Sequence, residues 1–125
     1  MIQKSRISDE RRNEVRYIAQ IKIEWEGIAG KQSGMVSDIS ETGCFVLCSG
    51  AVADGEKVKL YFPTGGQQPF ELSGEVTNHY DEIGYAVHFA ETEEIERLFL
   101  KHLINTLPKA NPIANRTIAS LKMES

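Results

Sequence analysis

The chain has 125 residues, which is enough for one domain, because a single hydrophobic core usually takes about 100 to 150 residues. With 14 Lys and Arg against 18 Asp and Glu, the net charge is −4, which disfavours diffuse attraction to nucleic acid polymers or anionic membranes. No apolar run has the length of a signal peptide or a membrane span, so we expect a cytoplasmic protein without membrane insertion, in which any anion is bound locally.

The chain begins with a polar, arginine-rich segment that leads into a strand. We expect residues 1–10 to form a flexible leader, and Arg11, Arg12 and Arg16 follow within the stretch DERRNEVRY. Over residues 15–25, apolar and polar side chains alternate. This alternation predicts a half-buried first strand with Arg16 on its outer, polar face.

Five more short apolar runs follow, separated by turn signals rich in Gly, Pro, Asp and Ser. The strands predicted from them cover residues 31–39, 43–48, 57–62, 69–80 and 83–89. Six strands at this spacing favour a small antiparallel barrel or a sandwich. Cys44 and Cys48 lie in one of these runs, and we expect them to be reduced and structural, because a zinc site would need a second pair of ligands.

After the sixth strand, the apolar periodicity becomes helical within residues 91–107. The apolar positions are Ile95, Leu98, Phe99 and Leu103, widened by Leu100, Ile104 and Leu107. Thr92 is the expected N-cap, and residues 108–125, which start with proline, are the expected C-terminal tail, with a short helix over residues 117–123. We expect the whole stripe to be core. The alternative is that one side packs on the strands and the other meets a second chain in a homodimer.

Arg12 and Arg16 are four positions apart, a spacing that brings two side chains to the same side of a helical or extended segment. A guanidinium is planar and always charged, and it can give two parallel hydrogen bonds to a phosphate or to O6 and N7 of a guanine. These arginines are therefore candidates for binding an anion on the outer surface. The alternative is that they pair with the carboxylates of Asp9, Glu10 and Glu14 on a solvated edge.

The stretch DISETG, residues 38–43, connects the second and third predicted strands. The carboxylate of Asp38 can accept hydrogen bonds from N1 and N2 of a guanine, and the Ser40 hydroxyl suits a phosphate oxygen or a neighbouring backbone group. Gly43 is expected to adopt a positive φ that lets the chain turn back sharply. The alternative is an ordinary turn, because Asp, Ser and Gly are common turn residues.

An R-x-x-x-R pair that ends at Arg16, ahead of a D-x-S-x-x-G turn that starts at Asp38, resembles the motifs of the PilZ domain family. The resemblance covers residues 11 to about 105, and the stretch IGYAVHF before the helix is similar to the family's last strand. Ala86 departs from the family pattern, which frequently has a glycine there. The resemblance implies a mostly β domain over residues 11–107, built as a six-stranded antiparallel split barrel with a C-terminal α-helix.

The resemblance also implies that the bacterial second messenger cyclic di-GMP binds on the outside of this barrel. The residues that it assigns to the ligand are Arg11, Arg12, Arg16, Asp38, Ser40 and Gly43. The paired arginines would hold guanine edges and phosphates, the Asp and Ser of the turn would contact the other side of the nucleotide, and the glycine would shape the loop. The arginine directly before the pair would favour two stacked ligand molecules over one.

The implied function is that of a bacterial cytoplasmic receptor, for example in motility or biofilm regulation, that changes conformation on binding cyclic di-GMP and relays it to an effector protein. One alternative is a PilZ-like structural adaptor of pilus or motility machinery that does not bind the ligand. Another is a small barrel that binds single-stranded nucleic acid through Lys57, Lys59 and Tyr61. We expect no enzyme, cofactor or metal, because the three histidines have no local catalytic partner and His102 lies in the apolar stripe of the helix.

Overall fold

The computed structural model describes residues 14–110; Arg11, Arg12, the predicted leader and the predicted helix over residues 117–123 lie outside the described residues. The elements of this range are β1 (Arg16–Gly27), β2 (Gly30–Ile39), β3 (Gly43–Leu47), β4 (Lys57–Phe62), β5 (Phe70–Tyr80), β6 (Gly84–Phe89), α1 (Glu94–Ile104) and β7 (Lys109–Ala110). Within the described part of the chain, no helix is both long and apolar enough to cross a membrane.

The six longer strands form a closed antiparallel barrel. Hydrogen-bonded neighbours follow the order β2-β3-β6-β5-β4-β1, and the pairing of β1 with β2 closes the ring. Each of these strands begins and ends within two residues of a predicted strand. The six-stranded barrel with a C-terminal helix is therefore confirmed, and the sandwich alternative is wrong.

Alternation along β1 places one face in the core and keeps Arg16 outside. Ile23 and Trp25 are buried, and Tyr17 packs against the same core from the start of the strand. A β-bulge around Gln20, whose φ is 53°, adds one residue to β1 relative to β2 and bends the strand. This bend separates the end of β1, which pairs with β4, from its start, which pairs with β7.

Helix α1 closes the barrel with only one side of its apolar stripe. Leu100 and Ile104 are buried, whereas Ile95 and Leu98 are exposed, at 63% and 55%. The prediction that the whole stripe is core is therefore wrong. A helix that packs on one surface buries only the side that faces this surface. The apolar stripe of α1 is wider than the side that faces the barrel, so part of it stays exposed.

The start of α1 also differs from the prediction. The N-cap is Glu93 and not Thr92, because the Glu96 carboxylate accepts a hydrogen bond from the Glu93 backbone N–H at 2.8 Å in a capping box. The carbonyl of Thr92 instead accepts a hydrogen bond from the Arg97 guanidinium. His102 was expected within the apolar stripe, but it lies on the solvent side of the helix and is exposed.

A short strand after α1 was not predicted. β7 pairs antiparallel with the start of β1, with Ala110 opposite Arg16, and the Ile18 N–H donates to the Pro108 carbonyl at 2.9 Å. A two-residue strand is too short for alternation to show in a sequence. The chain that leaves α1 therefore runs beside the first residues of β1.

Candidate ligand-binding site

Arg16 and Asp38 meet on the outside of the barrel, where β1 begins and β2 ends. The antiparallel register places Ile18 opposite Asp38, so Arg16, two residues earlier, is the diagonal neighbour of Asp38 on the same face. Nε and Nη2 of Arg16 donate hydrogen bonds to Oδ1 of Asp38 at 2.8 and 2.5 Å. Their side chains remain 39% and 35% exposed, so a ligand in solution can reach both.

A second carboxylate, that of Glu14, lies on the other side of the guanidinium. Oε1 of Glu14 is 3.7 Å from Nη1 of Arg16, and its Oε2 accepts a hydrogen bond from the Thr42 hydroxyl. Glu14 therefore ties the start of β1 to the β2–β3 turn. Pairing with a nearby acidic residue was the alternative for the arginine segment, and Arg16 makes such a pair in addition to its contact with Asp38. The link to Thr42 has no signal in the sequence.

Ser40 is fully buried and holds the β2–β3 turn together. Its Oγ accepts hydrogen bonds from the backbone N–H groups of Thr42 and Gly43, each at 3.2 Å. Because this hydroxyl is buried, its observed role is to fix the loop that follows Asp38. The predicted contact of Ser40 with a nucleotide stays a prediction.

Gly43 is needed for a reason other than the predicted one. Its φ is not positive, because it belongs to β3 and pairs with His88 of β6. A Cβ at this position would lie 2.2 Å from the carbonyl oxygen of Val87. The expected positive φ is therefore wrong, and the missing side chain instead allows β3 and β6 to approach closely.

The described part of this patch carries more negative than positive charge. Two carboxylates, from Glu14 and Asp38, face the single guanidinium of Arg16. Such a patch does not attract an anion by itself. Arg11 and Arg12, which the sequence places just before Glu14, lie outside the described residues, so the structure shows only where the arginine segment joins the barrel.

The outer surface beside Asp38 is apolar. Asp38 is opposite Phe45 in the register, and Phe45 is opposite Ala86. Cross-strand partners share a face, so these side chains form a row next to the carboxylate, and the Phe45 ring also contacts the Tyr80 ring, with centroids 6.0 Å apart. An aromatic side chain in such a row can pack against the flat face of a base. Phe45 was not predicted as a functional residue, because residues 44–48 are all apolar and the sequence does not show which face of this strand points outward.

The basic row suggested for nucleic acid binding lies on β4 and is paired with carboxylates. The side chains of Lys57, Lys59 and Tyr61 lie 3.4, 3.9 and 2.9 Å from carboxylate oxygens of Glu75, Glu71 and Glu26. These carboxylates oppose the approach of a phosphate backbone. The geometry of this row therefore gives less support to polymer binding than the sequence did.

The remaining candidates for chemistry are two cysteines, Cys44 and Cys48, and a histidine, His79. Both cysteines are free thiols, and burial raises the pKa of Cys44 far above its usual range, which makes this thiol unreactive. Nδ1 of His79 lies 2.8 Å from Oδ1 of Asp54, and this hydrogen bond raises the pKa of the histidine. Over residues 14–110, no group of three or more His, Cys, Asp and Glu side chains is arranged to hold a metal ion.

The chain is similar in sequence and in structure to known domains. The model of the PilZ domain family matches residues 10–106. The PilZ domain of YcgR from Escherichia coli, in a structure with cyclic di-GMP, has a TM-score of 0.64 and 15% identity, and the match covers 78% of this chain and 91% of that chain. No match is found among curated proteins.

Two further solved structures share this architecture. The PilZ domain of CeSA from a cellulose-synthesizing bacterium has a TM-score of 0.60 and 17% identity, with 73% of this chain and 95% of that chain covered. PlzA of Borreliella burgdorferi, in complex with cyclic di-GMP, has a TM-score of 0.61 and 11% identity, with 82% of this chain covered but only 45% of PlzA. This chain thus spans less than half the length of PlzA. At these identities, the solved structures show the fold.

Proposed function

Because this chain belongs to the PilZ domain family, we propose that it is a bacterial cytoplasmic receptor that binds cyclic di-GMP on the outer face of its barrel. The observation that carries the proposal is the Arg16–Asp38 pair, which puts a guanidinium beside a carboxylate where the arginine segment joins the barrel. The structures of YcgR and PlzA, which share the fold, are both described with cyclic di-GMP. PilZ domains are in general binding domains, and we propose no catalytic activity.

The Arg16–Asp38 pair offers complementary groups to a guanine nucleotide. Among the described residues, Nη1 of Arg16 faces only the Glu14 carboxylate, at 3.7 Å, and a phosphate oxygen can take the place of this carboxylate. Within the same range, Oδ2 of Asp38 meets only the Ser37 hydroxyl, at 3.4 Å, and it can accept hydrogen bonds from N1–H and N2–H of a guanine. Phe45, beside Asp38 in the register, offers apolar surface to the base.

Arg11 and Arg12 complete the site in this proposal. Cyclic di-GMP carries two phosphate charges, whereas the described patch has an excess of carboxylate, so further cations are required. Arg12 would share the phosphates and guanine edges with Arg16, and Arg11 would stack on a second ligand molecule. Gly43, together with the Ser40 hydroxyl, would keep the loop in the shape that presents Asp38.

Calorimetric titration with cyclic di-GMP tests the proposal. We expect the wild-type protein to bind, and we expect Arg12→Ala and Arg16→Ala each to lose about 2 to 5 kcal/mol, or roughly 30-fold or more in Kd, because ligand charge is left uncompensated. The matched control is Arg97→Ala, which removes an exposed guanidinium on α1 and should leave Kd unchanged. GTP serves as the specificity control and should not compete.

A wild-type protein that gives no binding signal would favour the structural adaptor instead. If the wild type binds but Arg16→Ala loses less than about 1 kcal/mol, Arg16 makes only a solvent-screened contact with the ligand and does not hold it as proposed. Thermal unfolding of Arg16→Ala without ligand separates these effects from misfolding, because the loss of a half-exposed ion pair should leave the fold intact.

We also propose that binding rearranges residues 1–14 and that an effector protein reads this change. Glu14 contacts both Arg16 and Thr42, so a phosphate that takes Arg16 would remove one of the two contacts that hold the end of this segment. Hydrogen exchange with and without saturating cyclic di-GMP measures the response. We expect altered protection over residues 1–14, and unchanged protection would contradict the relay while leaving binding itself intact.

A further inference from the structure

Helix α1 presents an apolar side to solvent. Ile95 and Leu98, three residues apart, lie on one side of the helix and are both more than half exposed. His102, one turn further on, is exposed on the same side. Spacings of three and seven residues are those by which an amphipathic helix anchors itself in a groove of another protein.

The barrel carries a groove of about 770 Å³ on its outer face. The register places Lys22 opposite Met35, and Met35 opposite Leu47, so these three side chains share the outer face that forms its floor. Pro63 and Pro69, from the loop between β4 and β5, line it as well. The groove is therefore largely apolar and wide enough to receive side chains from another surface.

The groove and the first turn of α1 have opposite charge, whereas the basic residues Lys101 and His102 lie in the last turn of the helix. Lys31 lies 3.9 Å from Glu24 and 4.8 Å from the centre of the Tyr61 ring, so the charge of Glu24 is balanced inside the groove. Lys22 has no ion pair among the described residues, which leaves the groove with one uncompensated positive charge. On the helix, Glu94 precedes Ile95 in the acidic first turn. An apolar anchor next to a carboxylate thus complements an apolar floor next to a lysine.

The two surfaces flank the same loop. Phe99 of α1 stacks on Phe70, with centroids 4.1 Å apart, and also contacts Phe62 at 5.9 Å. Phe62 and Phe70 are the last and first residues of β4 and β5, and the loop between them contributes Pro63 and Pro69 to the groove. A two-fold axis near this loop can therefore place the helix of each protomer over the groove of the other.

We propose that these surfaces bind a second copy of this chain, with α1 of one protomer in the groove of its partner and the same contact repeated in return. Leu98 and Ile95 enter the apolar floor, and Glu94 meets Lys22 of the partner. Each contact joins two different surfaces, the helix of one protomer and the groove of the other. The two-fold axis repeats this contact, so the assembly closes as a symmetric dimer. Neither surface contains Arg16 or Asp38, so the substitutions that test association differ from those that test ligand binding.

Sedimentation equilibrium of the full chain over a concentration series tests the dimer. We expect the wild-type protein to approach twice its 14.0 kDa mass. Leu98→Glu on the helix and Met35→Glu in the groove should each raise the dimer dissociation constant by at least ~10-fold, because each puts a charge into an apolar contact. Ile28→Glu is the matched control, since Ile28 is 87% exposed and outside both surfaces.

Mixing the two variants distinguishes this arrangement from other dimers. A mixed pair keeps one intact contact, between the helix of Met35→Glu and the groove of Leu98→Glu, so mixing should restore association that neither variant shows alone. Lys22→Glu should likewise weaken the dimer, and Glu94→Lys in the same chain should restore it. A wild-type monomer at all concentrations, masses that grow beyond a dimer, or no restoration on mixing would each overturn the proposal.

Discussion

The guanidinium of Arg16 is shared between two carboxylates that act differently. Asp38 orients it through two hydrogen bonds to one oxygen. Glu14 lies on the opposite side at 3.7 Å and neutralises charge that a phosphate would need. A dianionic ligand therefore has to displace Glu14 and can keep the Arg16–Asp38 pair.

Glu14→Gln should bind cyclic di-GMP more tightly than the wild-type protein does. Glutamine has the same shape and can keep the hydrogen bond with the Thr42 hydroxyl, but it does not compete for the guanidinium. The gain should be roughly 2- to 5-fold in Kd, since an exposed ion pair is worth up to about 1 kcal/mol. Calorimetric titration measures it, with Glu91→Gln as the control for the change in net charge. Weaker binding by Glu14→Gln would mean that Glu14 contacts the ligand directly.

Gly43→Ala should destabilise the barrel. The new Cβ would lie 2.2 Å from a backbone oxygen of β6, so the two strands would have to separate. We expect a loss of about 1 to 3 kcal/mol in the free energy of unfolding, measured by urea denaturation. Gly65→Ala is the control, because no atom lies within 4 Å of its added Cβ. Equal stability of the two variants would show that β3 and β6 can move apart freely.

At the scale of elements, alternation together with short apolar runs between turn signals was sufficient to predict the barrel strands. Half-buried strands need an apolar side chain at every second position, and this requirement is visible in β1 and β6 without knowledge of their neighbours. Helical spacing did not decide which side of α1 is buried, because Ile95 and Leu98 satisfy it as well as Leu100 and Ile104 do. Only the shape of the barrel end makes that choice.

The candidate site could be predicted only in part for a similar reason. Arg16 and Asp38 could be predicted as site residues from their two motifs and from the polar face of β1. The contact between Glu14 and Thr42 could not, because it depends on how β1 enters the barrel. The Ser40 hydroxyl could bind a ligand or a backbone group of its own turn, and the neighbouring strands, which bury it, leave it the backbone groups. These contacts join residues far apart in the chain, and no local pattern records them.

The end of β5 is tied to the β3–β4 loop by a contact that depends on pH. The hydrogen bond to Asp54, with smaller contributions from the charges of Asp54 and Asp81, raises the pKa of His79. A raised pKa in the folded state stabilises the protein below pH about 6.5, and this stabilisation is lost as pH rises through the folded value. Asp54→Asn should therefore lower the pKa of His79 in an NMR titration.

The unfolding free energies of wild type and Asp54→Asn should differ most on the acid side of that titration and converge as pH rises through the pKa of His79. His79→Gln assigns the ring signals and should remove the pH dependence of the difference. A gap that stays constant with pH would show that the Asp54 contact does not involve the charged histidine.

At the scale of the whole molecule, a protein with a net charge of −4 repels the dianion that it is proposed to bind. Binding therefore has to come from a few concentrated arginines, against a weak opposing field from the rest of the surface. Salt screens both the attraction by the arginines and the repulsion by the rest of the surface, so its effects on the Kd partly cancel. A single-stranded nucleic acid would behave differently, because it would engage a long row of phosphates.

Between about 50 and 200 mM salt, the Kd for cyclic di-GMP should rise by less than ~10-fold, since the ligand has only two phosphates to release counterions. A polymer held by six or more phosphate contacts would lose roughly a thousandfold over the same range. Fluorescence anisotropy of labelled cyclic di-GMP and of a labelled single-stranded oligonucleotide, each titrated at several salt concentrations, measures both. A steep slope for the oligonucleotide, with affinity above that for cyclic di-GMP at low salt, would favour the nucleic acid barrel. Binding of the oligonucleotide through this row would require the ion pairs of Lys57 and Lys59 to open, and Lys57→Ala and Lys59→Ala should then each weaken it.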